Sequence, residues 1–174
     1  VRYSSINGRK IRIGVIGCGR ISKKHFDAIE QFRNDLELVA VCDVNSRICA
    51  EYSKIYSVPA YKDISELLKK EAVDVVVLCT PSGLHPEQAI IAAEFSVNVI
   101  TEKPMATCWE DGVRMVSACE GAGVRLFVVK QNRWNSTLQL LKRALVENRF
   151  GKIHLAQINV FWTRPQSYYD QGSW

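Results

Sequence analysis

The run Ile11-Arg12-Ile13-Gly14-Val15-Ile16-Gly17-Cys18-Gly19-Arg20-Ile21-Ser22 constrains this chain more than any other stretch. It reads as a buried strand, a glycine turn and a helix start. Gly17-x-Gly19-x-x-Ser22 fits the dinucleotide-binding fingerprint, with serine in the third glycine place. Gly17 allows the tight turn, and Gly19, lacking a Cβ, lets backbone approach a pyrophosphate. The helix that opens at Arg20-Ile21 points unpaired N–H groups and its positive dipole end at such an anion. Ser22 is small enough for close helix–strand packing. A glycine turn in some other α/β protein is the competing reading of this motif alone.

A second apolar run, Leu36 to Cys42, ends in Asp43. That acid lies where the fingerprint expects a ribose binder, about 20 residues on. A carboxylate there accepts adenosine ribose hydroxyls and repels a 2′-phosphate, which favours NAD over NADP. Arg47 is close enough to soften that preference. Asp43 also suits the N-cap of a helix starting near Ser46, and both readings stand at this point.

With 174 residues the chain has the size of about one domain, and at 47% hydrophobic it can bury a core. No apolar run approaches the roughly 18 residues that span a membrane. Val1 to Lys10 lacks the apolar centre of a signal peptide and reads as a loose leader. The net charge of +5 is scattered. Such an excess suits an anionic small ligand as readily as nucleic acid, and we expect neither a nucleic-acid nor a membrane partner. Cys18, Cys42, Cys49, Cys79, Cys108 and Cys119 form no CxxC pair, and three of them sit in or after apolar strand runs. That pattern argues for reduced thiols in a cytosolic, cytoplasmic protein. His25, His85 and His154 lack ligand spacing, so no metal site is expected.

Further along, apolar runs alternate with helical patterns. A helix is expected from about Arg20 to Phe32 and another from Ser46 to Ile55. Pro59 bars a central strand near Tyr61. Asp63 is placed to cap a helix bearing Ile64, Leu67 and Leu68. Val75-Val76-Val77-Leu78 has no polar face, as in a parallel strand covered on both sides. Strands near Val97 and Val124 flank a helix from Trp109 to Glu120 that Gly121 should close. This alternation predicts an α/β, doubly wound parallel sheet of Rossmann type. After Arg133 the rhythm changes. Leu138, Leu141 and Leu145 stripe a helix that should end near Phe150-Gly151. Lys152 to Thr163 reads as a long strand, with Ile158, Val160 and Trp162 alternating. A lone long strand is an exposed edge, so a second domain is expected to begin near Trp134 and to be cut off.

Taken together, Gly17-Cys-Gly-Arg-Ile-Ser-Lys-Lys-His25, Asp43, Thr80-Pro-Ser-Gly-Leu-His85 and Glu102-Lys103-Pro104 resemble the glucose–fructose oxidoreductase/inositol dehydrogenase family (Gfo/Idh/MocA). Val129-Lys-Gln-Asn-Arg133 and Phe161-Trp-Thr-Arg-Pro165 resemble a narrower branch. That branch comprises the UDP-N-acetylglucosaminuronate 3-dehydrogenases of bacterial surface-polysaccharide synthesis, the lipopolysaccharide O-antigen included. The resemblance runs from Arg9 onward. It implies an NAD-binding Rossmann domain over 9–132. The start of an incomplete second domain, α/β with a mostly antiparallel sheet, would occupy 133–174. It also implies a homo-oligomer for the full-length protein. The family's catalytic lysine falls on Lys103, near the nicotinamide and the carbinol. Its partner histidine belongs to a motif that does not occur before Trp174.

Lys103 can act as the base, if desolvated beside a cationic nicotinamide, or as an ammonium stabilising the alkoxide. A surface lysine paired with Glu102 is the competing reading. A cis Lys103–Pro104 bond would fix its direction, although trans is the commoner state. Thr80, Pro81, Ser82 and His85 are expected beside the nicotinamide ribose, against a plain turn with Pro86 at the helix start. Glu102 joins them as a cofactor neighbour through the resemblance, as do Ile21, Trp162 and Arg164. Gln131, Asn132, Arg133 and Tyr168 are the expected substrate contacts. Arginine forks suit the phosphate and carboxylate of a nucleotide-sugar uronate, although solvated charge and core aromatics explain the same residues. The expectation is an NAD-dependent oxidoreductase that takes hydride from C3 of a UDP-sugar uronate, the chain itself binding cofactor only. An inositol or simple-sugar dehydrogenase, or a non-catalytic dinucleotide module, is the alternative.

Overall fold

The computed structural model describes residues 6–170; the first five residues of the expected leader, and Trp174, lie outside them. By contacts the chain divides into two units, 1–129 and 130–174. The first carries six strands: β1 (Ile11–Ile16), β2 (Leu36–Cys42), β3 (Ala60–Tyr61), β4 (Val75–Leu78), β5 (Asn98–Thr101) and β6 (Leu126–Val128). They pair in the order β3-β2-β1-β4-β5-β6, and every pairing is parallel. Five helices return the chain between them: α1 (Ser22–Gln31), α2 (Ser46–Tyr56), α3 (Ile64–Lys70), α4 (His85–Glu94) and α5 (Trp109–Gly121). This is a Rossmann-like α/β fold.

Both faces of the sheet are covered, which is why β4 is apolar throughout. Val76 and Leu78 join one core with Leu67, Ala89, Ala92 and Met115 from α3, α4 and α5. Val77 points the other way, into a core with Phe26 and Ile29 of α1 and Cys49 of α2. Phe26 stacks against both Tyr52 and Tyr56, with ring centroids at 4.8 and 4.7 Å. Four of the six cysteines, Cys18, Cys42, Cys49 and Cys79, are buried near the strand ends as free thiols. Cys119 is buried in α5, and Cys108 alone is exposed.

The edge of the sheet at the strand starts is tied by side chains. Asp74 accepts two guanidinium bonds from Arg9, at 2.5 and 2.8 Å, and the main-chain N–H of Arg12 at 2.8 Å. The Arg9 bonds outweigh the cost of burial and hold the Asp74 carboxyl down at about 2. Arg9 is therefore a fastening residue rather than part of a loose leader. Asn98 continues the seam: its amide donates to the Asp74 carbonyl and its oxygen accepts from the Arg125 N–H.

Several expectations need correction. Gly121 does not close α5 but is its last residue; the left-handed position is Gly123, at φ +68. In the second unit the striped helix, α6 (Ser136–Val146), ends at Val146, before Phe150. Its Leu138, Leu141 and Leu145 are each about half exposed. Lys152 to Thr163 is not a strand. It carries no ladder, because an alternating pattern supplies a face but not the neighbouring backbone that strand hydrogen bonds require. A short helix, α7 (Gln166–Asp170), follows it.

Candidate functional site

Register brings four strand ends level. Ile16 pairs with both Cys42 and Leu78, and Leu78 pairs with Thr101. The residues that follow, Gly17, Asp43, Cys79-Thr80 and Glu102-Lys103, therefore share one edge of the sheet. Between β1 and β4 the connections depart in opposite directions, the place where open α/β sheets bind ligands.

Gly17 has φ +90, and its N–H donates to the Cys42 carbonyl at 2.7 Å. A Cβ built there would meet the Cys79 carbonyl carbon and the Thr80 nitrogen at 2.8 Å. The glycine is thus required by β4, which presses against the turn. Gly19 differs: a Cβ there meets nothing within 4 Å. Its cradle is open on the protein's side, as close approach by a pyrophosphate demands. Ser22 is fully buried, and its hydroxyl donates to the Gly19 carbonyl at 2.6 Å. Exposed Arg20 and Ile21 precede α1, whose N-terminus has no side-chain cap and no acid in its first turn. The Ser22 and Lys24 N–H groups bond the Gly19 and Ile21 carbonyls at 3.2 and 3.1 Å, so what the helix start offers an anion is chiefly its positive dipole end.

Asp43 does not cap α2. Asn45 does, accepting from the N–H groups of Arg47 and Ile48 at 3.1 and 3.3 Å. The Asp43 carboxylate accepts instead from the Cys18 N–H at 2.7 Å and the Asn45 N–H at 2.8 Å. It fastens the glycine turn to the end of β2, and each oxygen keeps capacity for a further donor. Arg47 lies exposed in the first turn of α2.

Thr80 is half-buried, and its hydroxyl donates to the Gln88 side-chain oxygen at 2.5 Å. Exposed Pro81 precedes a single 3-10 turn over Ser82–Leu84. His85 is buried. Its Nε2 lies 2.8 Å from the Thr80 carbonyl and its Nδ1 3.0 Å from the Pro104 carbonyl. Each ring nitrogen faces a main-chain carbonyl, and a neutral imidazole, with one N–H, donates to one of the two at a time, so His85 stands between these two loops.

Glu102 is buried and does not sit in a surface pair with Lys103. One carboxylate oxygen meets His25 Nε2 of α1 at 2.9 Å; the other accepts the Lys103 main-chain N–H at 3.4 Å. The His25 bond, outweighing desolvation, holds the Glu102 carboxyl below the usual carboxylate range. Lys103 itself is exposed, and the Lys103–Pro104 bond is cis. An apolar cavity of about 580 Å³ opens just beyond, bounded by Met105, Trp109, Val113 and Val116. Its lining shares no residue with the polar constellation. Among the described residues, no three His, Cys, Asp or Glu side chains group to hold a metal ion. No helix among them is long and apolar enough to cross a membrane.

The remaining expected contacts belong to the second unit. Gln131, Asn132 and Arg133 form an exposed 3-10 turn. The Arg164 guanidinium stacks against Trp162 at 4.7 Å and against Tyr168 at 4.9 Å. Asn45, Gln88 and the His25–Glu102 bond were not read from the sequence. Asn45 alone carried a local signal, as an Asx residue directly before a helix.

Residues 11–130 match the profile of GFO_IDH_MocA, described as an oxidoreductase family with an NAD-binding Rossmann fold. Among solved structures, the chain resembles the WlbA dehydrogenase of Bordetella pertussis in complex with NADH and UDP-GlcNAcA. The identity is 54% and the TM-score 0.91, over 94% of this chain and 50% of that one. The WlbA dehydrogenase of Chromobacterium violaceum, also in complex with NADH and UDP-GlcNAcA, is 49% identical with a TM-score of 0.93. The match covers 97% of this chain and 49% of that one. A myo-inositol 2-dehydrogenase of Thermotoga maritima is 34% identical over 149 residues, 85% of this chain and 44% of the relative. The chain thus spans about half the length of the proteins it matches.

Proposed function

Because this chain belongs to the GFO_IDH_MocA oxidoreductase family and carries its NAD-binding Rossmann fold, we propose that it forms the cofactor-binding part of a UDP-sugar uronate dehydrogenase. The reaction is oxidation at C3 of UDP-N-acetylglucosaminuronate. Residues 9–132 make up the cofactor domain, and 133–174 begin a substrate and oligomerisation domain. The observation that carries the reading is the level row of strand ends, Gly17, Asp43, Thr80 and Lys103, in a chain 54% identical to a protein solved with NADH and UDP-GlcNAcA.

The open Cβ cradle at Gly19 and the uncapped start of α1 fit a dinucleotide pyrophosphate. Asp43 accepts ribose hydroxyls while it holds Cys18. Arg20, Ile21 and Arg47 border the adenosine side, and Thr80, Pro81 and Ser82 the nicotinamide side. When bound, NAD supplies the hydride acceptor. Lys103 stands at the carbinol, where it holds or removes the hydroxyl proton. By the family resemblance Gln131, Asn132, Arg133 and Tyr168 are assigned to the uronate and phosphates, and Trp162 and Arg164 to the cofactor. Reduced thiols and the cytoplasm suit this chemistry.

The test follows NADH absorbance for the complete gene product with UDP-N-acetylglucosaminuronate and with myo-inositol. Turnover of the uronate, lost by a factor of about 10² or more in Lys103→Ala, is expected. Preference for myo-inositol would move the chain to the polyol branch. NAD binding with neither substrate consumed would make it a dinucleotide-binding module.

A further inference from the structure

Lys103 is the first residue after a buried acid, and that acid reaches back to the helix that opens the dinucleotide turn. Glu102 continues β5, and its N–H donates to the Leu78 carbonyl at 3.1 Å. Its side chain is 11% exposed, and that of His25 is 16% exposed. The two residues stand 77 positions apart. His25 lies one turn after Ser22, whose own hydroxyl anchors α1 to the Gly19 carbonyl. A single chain of contacts therefore runs from the pyrophosphate turn through Ser22, α1, His25 and Glu102 to the Lys103 main chain. On the lysine's other side the His85 ring stands between the Pro104 and Thr80 carbonyls, at 3.0 and 2.8 Å. The peptide that bears the lysine is thus flanked on both sides by histidine contacts.

We propose that His25 and Glu102 are positioning residues that set the Lys103 side chain relative to the cofactor turn, so that hydride-transfer geometry depends on them although neither touches the reacting atoms. This rests on the catalytic reading of Lys103 given above. The physical reason is the cost of a loose ammonium. A charge-assisted bond into a nearly buried carboxylate has one short geometry, and it leaves Glu102 no freedom to turn its oxygen away from the Lys103 N–H. Without His25 the carboxylate loses its partner and moves toward water, taking the start of the lysine loop with it. A displacement on the scale of 1 Å at a reacting group costs about 10²-fold in rate. Binding of the dinucleotide, set by Gly19 and Asp43, is left nearly as it was.

The experiment measures single-turnover NADH formation and NAD affinity in the complete gene product. The variants are His25→Ala, His25→Gln, Lys103→Ala and the double variant His25→Ala/Lys103→Ala. His25→Ala should slow hydride transfer by about 10- to 100-fold and change the NAD dissociation constant by less than about threefold. His25→Gln, whose amide can donate to the same oxygen, should recover most of that loss. The double variant should be no slower than Lys103→Ala alone, since a positioning residue has nothing left to position. Wild-type rates in His25→Ala, or losses that multiply in the double variant, would overturn the proposal. A wild-type rate in Lys103→Ala would overturn the catalytic lysine itself, and the positioning role with it.

Discussion

The Asp43 carboxylate accepts the main-chain N–H of Cys18 across 2.7 Å, so the residue that follows β2 also shapes the turn that follows β1. A second oxygen takes the N–H of Asn45. The acid is therefore fixed by backbone before any ligand arrives, and under the proposed cofactor reading its charge opposes a 2′-phosphate. Asp43→Ala should weaken NAD and penalise NADP less, shifting the preference by about tenfold or more. Calorimetric titration of both cofactors reads this directly. An unchanged ratio would remove Asp43 from cofactor discrimination.

The two glycines of the turn should separate folding from binding. Gly17→Ala meets Cys79 and Thr80 backbone at 2.8 Å and strains a φ of +90. We expect a loss of at least about 2 kcal/mol in urea unfolding. Gly19→Ala meets no protein atom within 4 Å. Its stability should stay within about 0.5 kcal/mol of the parent, while the NAD dissociation constant rises at least about tenfold. Equal stability losses in the two variants would contradict this division.

Asp74 makes a contribution that depends on pH. Its folded carboxyl sits near 2, below its ordinary value of 3.8, because Arg9 bonds the ionised form. A depressed carboxyl stabilises the fold fully above its unfolded value and loses that stabilisation as pH falls toward its folded value. Asp74→Asn should therefore cost about 1 kcal/mol at pH 7, discounted because Arg9 is largely solvated. The difference between the two proteins should shrink by about half near pH 3. A difference that is constant from pH 7 to pH 3 would show that the carboxylate charge is not what holds this seam.

The thiols should fall into two classes. Burial pushes Cys42 up to about 12 and raises Cys18, Cys79 and Cys119 as well. Thiolate, the reactive form, is therefore scarce at these positions. Cys108 is raised as well, and exposure alone sets it apart, so a disulfide-exchange reagent should label one group first in the native chain and six after denaturation. Cys108→Ser should abolish the prompt reaction. Prompt native labelling of more than one thiol would place the sheet ends in solvent.

Much of this was legible before the structure because it is local. The apolar run Val75 to Leu78 has no polar face, and Val76 and Val77 indeed enter opposite cores. Asp63 caps α3, accepting the Glu66 N–H as its position suggested. What depends on distant partners was not legible. Ile158, Val160 and Trp162 alternate as a strand does, yet no ladder forms beside them. Asp43 and Asn45 are both Asx residues before one helix, and only backbone geometry assigns the cap to Asn45 and the fastening to Asp43. Lys103 stands out through its motif, whereas the bond from His25 to Glu102 bridges 77 positions with no local signal.

The placing of β1 between β2 and β4 bears on how the chain is made. The strand synthesised first is the middle of the sheet, and every one of its neighbours is parallel, so no hairpin can form early to shelter it. Ile16 must wait for Cys42 on one side and for Leu78 on the other. Chains grow at about 5–20 residues per second. The apolar stretch Ile11 to Ile16 therefore spends several seconds on the ribosome with its second flank bare. The order of the sheet thus makes the segment that later carries the cofactor turn the one that most needs protection while the protein is being born.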